Sequence, residues 1–407
     1  MNNDKITLYK KDNSGNIRQW SIYVTENQDN TGTINIESGI IDGQKVPQSI
    51  IITEGKNIGK KNETTPILQA HLEMQSRIAE QVKDGYVGSL DDVKESGTKG
   101  SGCPQAMLAK TYDPTKKQSG SKDLKGYEIE NQLVGIQRKL DGVRRLLHLT
   151  STSCIMYTRG GDEMNTLPHI ALALVKRFNE IKASDSKYAN LNEIWLDGEA
   201  YSHVLTFNKV NGITRKGAKT QEDRDNALKI HIHLYDVISN AGYDKRAEFL
   251  SLFKTEYSHP LETEYIIATE QTLKDKHDQY VSEGYEGLMV RILNKPYENK
   301  RSQFLLKYKA FDDSEFTIIG YNESTETGKL GTFIMKMDKV AYDRNGKLIT
   351  QFKATAVGPD EDTIWALQHA DEYIGKKGTV HYFGRSEYSV PRFPRFKDLR
   401  FDLKKKK

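Results

Sequence analysis

Apolar and polar residues alternate in two short stretches near the start of the chain, Ile6-Thr7-Leu8 and Trp20-Ser21-Ile22-Tyr23-Val24, and this period of two predicts strands. Ile50-Ile51-Ile52 is a third strand candidate. The period then changes. Thr65-Pro66 joins a capping hydroxyl to a proline suited to a first helical turn, and Ile67, Ala70, His71, Met74, Ile78 and Val82 follow at helical spacing. Strands followed by one long helix predict a small α+β module over residues 1–88. Residues 94–102 and 115–121 are rich in Gly, Ser, Thr and Lys and predict flexible linker or loop, with 89–103 as the linker between domains. Over residues 104–311 strand-like segments alternate with helices, such as 167–181 with Ile170, Leu174, Val175 and Phe178 on one face. From residue 312 onward short strands recur at 315–320, 333–337, 352–357 and 379–383, with one helix over 360–373, a pattern that suits a small all-β barrel of the OB type. The predicted class is α+β throughout, ending in that barrel.

Composition narrows the setting. A chain of 407 residues is long enough for two or three domains with their own cores. No apolar run reaches membrane-spanning length, and Met1-Asn2-Asn3-Asp4-Lys5 lacks a secretory apolar stretch, so an intracellular protein of the cytoplasm with no membrane partner is expected. Cys103 and Cys154 are the only cysteines, too few for a disulfide framework or a four-thiolate zinc site. The net charge of +4 says less than its distribution. Arg392, Arg395, Lys397, Arg400 and the four lysines 404–407 face only Asp398 and Asp402 in the last stretch, which suits a phosphate-rich partner or a solvated tail. The loop Gly55-Lys56-Asn57-Ile58-Gly59-Lys60-Lys61 has the wrong spacing for a Walker motif and reads as a solvated loop or as a basic loop against a nucleic-acid backbone.

The chemistry starts at Lys139, in Gln137-Arg138-Lys139-Leu140-Asp141-Gly142-Val143-Arg144. A lysine followed by any residue and then Asp-Gly is the signature of enzymes that store a nucleotide covalently on lysine. Behind it come Tyr157-Thr158-Arg159, Leu196-Asp197-Gly198-Glu199, Tyr235-Asp236, Glu286-Gly287-Leu288-Met289-Val290-Arg291 and Leu305-Leu306-Lys307-Tyr308-Lys309. In order and approximate spacing these motifs resemble the ATP-dependent DNA ligases, of the compact viral or phage type, from about residue 107 to near the C-terminus. Met107-Leu108-Ala109-Lys110 resembles the short element that introduces their catalytic domain. The N-terminal module resembles the WGR modules of DNA-repair proteins, although Trp-Gly-Arg itself is absent.

That resemblance implies a nucleotidyltransferase (adenylation) domain over 104–311 and an OB-fold domain over 312–407. It implies ATP and Mg2+ (or Mn2+) as cofactors, nicked duplex DNA as partner, a monomer, and work in DNA repair, replication or recombination. Lys139 is then the nucleophile. Lysine is mostly protonated at neutral pH, with a reference pKa near ~10.4, and burial or neighbouring positive charge favours the neutral form. Lys307 and Lys309 alternate along a strand, so both ammonium groups share one face, beside the ATP α-phosphate and near the nucleophile. Phosphoryl transfer asks mainly for positioning and charge neutralisation, so a divalent metal is expected, with Glu286 nearest it. By resemblance Glu199 holds the ribose, Asp141 and Asp197 assist in metal and sugar contacts, and Glu199, Glu286 and Asp141 form the metal set. Tyr235 stacks on adenine, and the strand at Gln137 reads the adenine edge. Arg144 contacts sugar and phosphate near the nick, and Arg159 the 5′-phosphate, a job suited to a planar, permanently charged guanidinium. Asp141 also serves in sealing. Arg291 and Arg301 are weaker candidates that salt bridges would equally explain. Arg400 orients pyrophosphate, within Arg400-Phe401-Asp402, where Leu403 stands in place of the family's lysine.

The alternatives are an RNA ligase or a capping guanylyltransferase, which share the lysine signature, and a DNA-binding protein without catalysis. Two cysteines disfavour an NAD-dependent ligase. The N-terminal module is expected to raise affinity for nicked duplex and to be dispensable for lysyl-AMP formation.

Overall fold

The computed structural model describes residues 5–112, 129–309, 312–324, 328–343 and 345–398. The linker stretch expected at 115–121, and Arg400 and Leu403, lie outside the described residues. Two compact units form: Met1–Thr272 with Met289–Lys307, and Leu273–Leu288 with Tyr308–Lys407.

The first unit opens with four antiparallel strands in sequential order, β1 (Ile6–Lys11), β2 (Ile17–Glu26), β3 (Gly32–Ile40) and β4 (Val46–Ile52). Alternation brings Leu8, Trp20, Ile22, Val24, Ile34 and Ile36 to one face, where helix α1 (Pro66–Lys83) packs Ala70 and Met74 against them. Thr65 starts α1: its hydroxyl accepts the Leu68 N–H at 3.2 Å, and Pro66 occupies the first turn. The stretch after α1, expected as linker, has a defined path. The Gly100 N–H donates to the Lys83 carbonyl at 3.1 Å, the Lys99 N–H to the Cys103 carbonyl at 2.8 Å, and Cys103 is buried.

Two five-stranded sheets follow. Their strands are β5 (Leu108–Thr111), β6 (Leu133–Lys139), β7 (Val143–Thr150), β8 (Cys154–Thr158), β9 (Glu193–Tyr201), β10 (His231–Val237), β11 (Ser258–Pro260), β12 (Glu264–Ile267), β13 (Gly287–Arg291) and β14 (Arg301–Lys309). One sheet runs β11-β10-β9-β7-β8 and the other β12-β6-β13-β14-β5. The helices between them are α2 (Pro168–Ser184), α3 (Phe207–Lys216), α4 (Gln221–Ala227), α5 (Tyr243–Leu250) and α6 (Glu270–Ser282). One face of the first sheet, with Leu147, Leu149, Leu196, Ala200, Ile232 and Leu234, is covered by Ile170, Leu174 and Phe178 of α2 and by Val210 and Ile213 of α3. Because strand residues alternate, the opposite face carries Arg144, Asp197 and Glu199.

In the second unit β15 (Asp312–Glu323), β16 (Leu330–Lys336), β17 (Gln351–Ala356), β18 (Lys377–Tyr382) and β19 (Arg395–Asp398) close into a barrel of order β15-β16-β17-β19-β18. Phe316, Phe333, Met335, Phe352, Val380 and Phe396 fill it. The helix expected over 360–373 is shorter. α7 (Asp360–Gln368) stops at His369, whose backbone leaves the helical region (φ −112°, ψ 12°), and a separate 3-10 turn covers Ala370–Tyr373. The His369 ring stacks on Trp365 at 4.1 Å and its Nδ1 lies 2.9 Å from the Trp365 carbonyl.

Candidate active site

The polar face of the first sheet is set by strand register. Arg144 of β7 lies opposite Glu199 of β9, and Leu146 opposite Asp197, so Arg144, Asp197 and Glu199 share that face. On the other side of β9, Glu199 pairs with His233, and a register shift between Leu234 and Asp236 turns Tyr235 out of the regular ladder. At this bulge the Tyr235 hydroxyl donates to Glu199 Oε2 at 3.4 Å. Its ring has the guanidinium groups of Arg144 and Arg291 at 5.6 and 5.7 Å.

Two ionic knots hold the polar interior. Arg144 grips Asp197 with two donors, Nε to Oδ1 at 2.9 Å and Nη2 to Oδ2 at 2.5 Å, and Nη2 also reaches the Met107 carbonyl at 2.8 Å. Tyr297 joins this knot, donating to Asp197 Oδ2 at 2.7 Å while its oxygen accepts the Met107 N–H at 2.8 Å. In the second knot Asp236 receives Arg246 Nε at 2.7 Å and Arg291 Nη1 at 2.6 Å, and Arg291 Nε donates to Gln137 Oε1 at 2.7 Å. Gln137 lies on β6 and Asp236 on β10, so Arg291 ties the two sheets together. Burial alone would lower the Arg144 guanidinium, yet Asp197 beside it carries it well above its ordinary range. Arg291 behaves alike, with burial opposed and outweighed by Asp236. Burial pushes the Tyr297 phenol up, and the adjacent Asp197 carboxylate pushes it further.

Lys139 stands where the sheets meet. It is the last residue of β6 in one sheet, and β7 of the other begins four residues later at Val143. Pleating puts Lys139 on the same side of β6 as Gln137, and Lys139 and Asp141 are both half-buried. The crossing is tight. A Cβ on Gly142 would lie 2.6 Å from the Ala200 carbonyl oxygen and 2.7 Å from Glu199 Cγ. The glycine of the Lys-x-Asp-Gly motif is therefore the residue that lets this segment lie against Glu199.

A family model for the ATP-dependent DNA ligase domain matches residues 106–309, half of the chain. The chain belongs to the ATP-dependent DNA ligase domain family. The matched stretch holds Lys139, both ionic knots and all ten strands of the two sheets. Among curated proteins, the DNA ligase of African swine fever virus (strain Badajoz 1971 Vero-adapted) is 27% identical over 313 residues, 74% of this chain and 66% of the relative. The DNA ligase of Enterobacteria phage T4 is 24% identical over 196 residues, covering 44% of this chain and 40% of the relative. The chain thus spans just under two thirds of the viral relative's length. A solved structure from a study of Lig E DNA ligases superposes with a TM-score of 0.52 at 19% identity, covering 73% of this chain and 100% of that one, a likeness of fold. Another, described as Pmar-Lig_PreS3, has a TM-score of 0.54 at 21% identity and covers 66% of this chain and 64% of that one.

Within this ligase domain the residues singled out from sequence fall into groups. Arg144 and Glu199 share the polar face of the first sheet, Tyr235 bonds Glu199, Gln137 is buried against Arg291, and Lys139 and Asp141 are half-buried at the end of β6 and just beyond it. Arg144 is committed to Asp197 and Met107, and Nη1 is the one guanidinium nitrogen outside those bonds. Arg291 serves the buried Asp236 pair, and Arg301 donates to the Ala109 carbonyl at 2.7 Å, fastening β14 to β5. Arg159 is exposed, one residue beyond β8. Lys307 is half-buried on β14, where its carbonyl accepts the Tyr112 N–H at 2.9 Å, and Lys309 ends the same strand. Glu286 is half-buried, immediately before β13. Sequence reasoning missed Tyr297 and Arg246, which have no motif or periodicity to mark them.

Among the described residues no three His, Cys, Asp or Glu side chains converge as metal ligands. Magnesium keeps several waters and takes phosphate oxygens, so it needs only one or two carboxylates from a protein. Glu199, whose Cγ would lie 2.7 Å from a Cβ on Gly142, and Asp141, the residue before that glycine, are carboxylates of the hard-oxygen type that magnesium takes. No helix among the described residues is long and apolar enough to cross a membrane.

Proposed function

We propose that this chain seals 5′-phosphate/3′-hydroxyl nicks in duplex DNA with ATP, through lysyl-AMP on Lys139 and then an adenylated DNA. The observation that carries the reading is the location of Lys139 at the crossing between two sheets, with Gly142 pressed against Glu199 and with Tyr235 bonded to Glu199. In the first step the neutral Lys139 amine attacks the α-phosphorus, a P–N bond forms, and the bond to the β-phosphate breaks with pyrophosphate leaving. An oxygen of the 5′-phosphate then attacks the same phosphorus and displaces the lysine. Finally the 3′-hydroxyl, giving up its proton, attacks the 5′-phosphorus and AMP departs.

The chain's own residues would bind and orient. Tyr235 and the Gln137 strand would face adenine, and Glu199 the ribose. Lys307 and Lys309 would face the phosphates of ATP, Arg159 the 5′-phosphate of the nick, and Nη1 of Arg144 the neighbouring backbone. Asp141 and Glu199 would supply carboxylate oxygens to magnesium or manganese, which neutralises phosphate charge when bound. The N-terminal module, with Lys60 and Lys61 exposed, would add affinity for the duplex.

The test is incubation with α-labelled ATP and magnesium, followed by denaturing electrophoresis, and a sealing assay on nicked DNA, nicked RNA and hybrid duplexes with ATP, GTP and NAD in parallel. Label on the wild-type protein, none on Lys139→Ala, and sealing of nicked DNA with ATP are expected. Retained label on Lys139→Ala, or label from GTP or NAD alone, would overturn the reading.

A further inference from the structure

We propose that the N-terminal module holds Arg159 in place through the Lys83–Asp162 ion pair, which makes Lys83 a positioning residue for the transfer of AMP to the nick. The inference rests on the reading of Arg159 as the ligand of the 5′-phosphate.

Arg159 occupies a corner of a closed turn. The Thr158 N–H donates to the Asp162 carbonyl at 2.7 Å, and the Gly161 N–H returns to the Thr158 carbonyl at 2.9 Å. Side chains close it again: the Asp162 N–H donates to the Thr158 hydroxyl at 3.1 Å, and that hydroxyl donates to Asp162 Oδ2 at 3.1 Å. The same Oδ2 accepts Lys83 Nζ at 2.6 Å. One carboxylate oxygen thus both completes the turn that carries Arg159 and receives the last residue of α1. Lys83 sets the Asp162 carboxyl below its usual range, with Thr158 assisting against burial.

Packing supports the same link. A Cβ on Gly160 would lie 3.3 Å from Lys83 Cε. Gly161 has φ +88°, and its Cβ would lie 3.0 Å from Lys99 Cβ, so the turn sits directly under the strap that follows α1. Lys83 is fixed at both ends, its carbonyl by the Gly100 N–H at 3.1 Å and its ammonium by Asp162. Asp84, the next residue, accepts both Lys10 of β1 and Lys99 of the strap. The four-stranded module, the strap and the Arg159 turn are therefore joined by one short chain of contacts.

The pair is half-exposed on both sides, 49% and 49%, a setting in which ion pairs contribute little to global stability. Its consequence is geometric. Displacing a group that orients a reacting phosphate by about 1 Å can cost on the order of a hundredfold in rate.

The experiment uses the full chain. Lysyl-AMP formation and single-turnover transfer of AMP from the preformed lysyl-AMP protein to nicked duplex, at saturating DNA, are measured for wild type, Lys83→Met, Lys83→Arg, Arg159→Ala and the double variant Lys83→Met/Arg159→Ala. Expected for Lys83→Met is unchanged lysyl-AMP formation and transfer slowed on the order of tenfold, with Lys83→Arg restoring most of it. In the Arg159→Ala background the same substitution adds nothing, because Lys83 acts through that arginine. Unchanged transfer, a defect that vanishes at saturating DNA, a loss of lysyl-AMP formation, or an additive effect in the double variant would each overturn the proposal. If Arg159→Ala alone transfers AMP at the wild-type rate, the reading of Arg159 fails, and that result is read separately from the Lys83 comparison.

Discussion

Asp236→Asn removes one charge from a fully buried ionic knot. The Asp236 side chain is 1% exposed, and its partners Arg246 and Arg291 are 2% and 3% exposed. Both carboxylate oxygens accept, Oδ1 from Arg246 Nε and Oδ2 from Arg291 Nη1 and Arg246 Nη2. Asparagine keeps one acceptor but turns the other position into an N–H donor facing a guanidinium, and two buried positive charges remain without an anion. Breaking a buried pair from one side costs about 3–5 kcal/mol. For a folding unit of this size each kcal/mol moves Tm by about 2–4 °C, so a fall of roughly 6–20 °C is expected. The assay is thermal unfolding by circular dichroism or calorimetry, with wild type scanned at the same rate. Lysyl-AMP formation should fall as well, since Arg291 also bonds Gln137, two residues from Lys139. A fall in Tm under about 3 °C would refute the reasoning, because it would mean that the two arginines find other compensation inside the sheets.

Two further outcomes follow from the geometry. Gly142→Ala should cost about 1–3 kcal/mol of local strain and suppress lysyl-AMP formation more than far-UV circular dichroism changes, because its Cβ would meet the Ala200 carbonyl oxygen and Glu199 Cγ; wild-type labelling would contradict this. Burial, with His259, His203 and His231 adding, pulls His233 down to about 3 from an ordinary 6.5, so the unfolded chain binds this proton first and stability is lost as pH falls from about 6.5 toward 3. Its surroundings also include Tyr201 at 5.4 Å and Glu199 across β9. The slope from this one group is up to about 1.4 kcal/mol per pH unit, and His233→Gln should flatten the decline seen in denaturant titrations between pH 6.5 and 4, an unchanged slope counting against it.

Local signals in the sequence were sufficient where the cause of structure is local. α1 is written in Thr65-Pro66 and its apolar stripe, and β10 in the alternation of His231-Ile232-His233-Leu234. The pattern over residues 360–373 predicts one helix, whereas the backbone leaves the helical region at His369 (φ −112°, ψ 12°), a break that no glycine or proline marks in the sequence. The ligase motifs located Lys139, but not the knots beside it: Asp236 meets Arg291 from 55 residues away, and Asp197 meets Tyr297 from 100. Pairing at such separation leaves no periodic trace. Residues 94–102 show a different limit. Glycine and small polar residues mark both a loose tether and a strap that must lie close to other backbone, and only the fold distinguishes the two.

That strap changes how the N-terminal module can be handled as a part. A tether can be cut and rejoined at any point, and its cargo exchanged. Here the module is keyed into its host by a lysine at a helix end, a carboxylate in a host turn, and glycines thin enough to let the strap pass. A chimera that borrows the module would have to carry residues 84–105 with it and find an acidic residue waiting in the recipient. A recipient without one would receive a folded appendage with no mechanical purchase on the catalytic domain. Interchangeability is thereby restricted to hosts whose corresponding turn presents a matching acid.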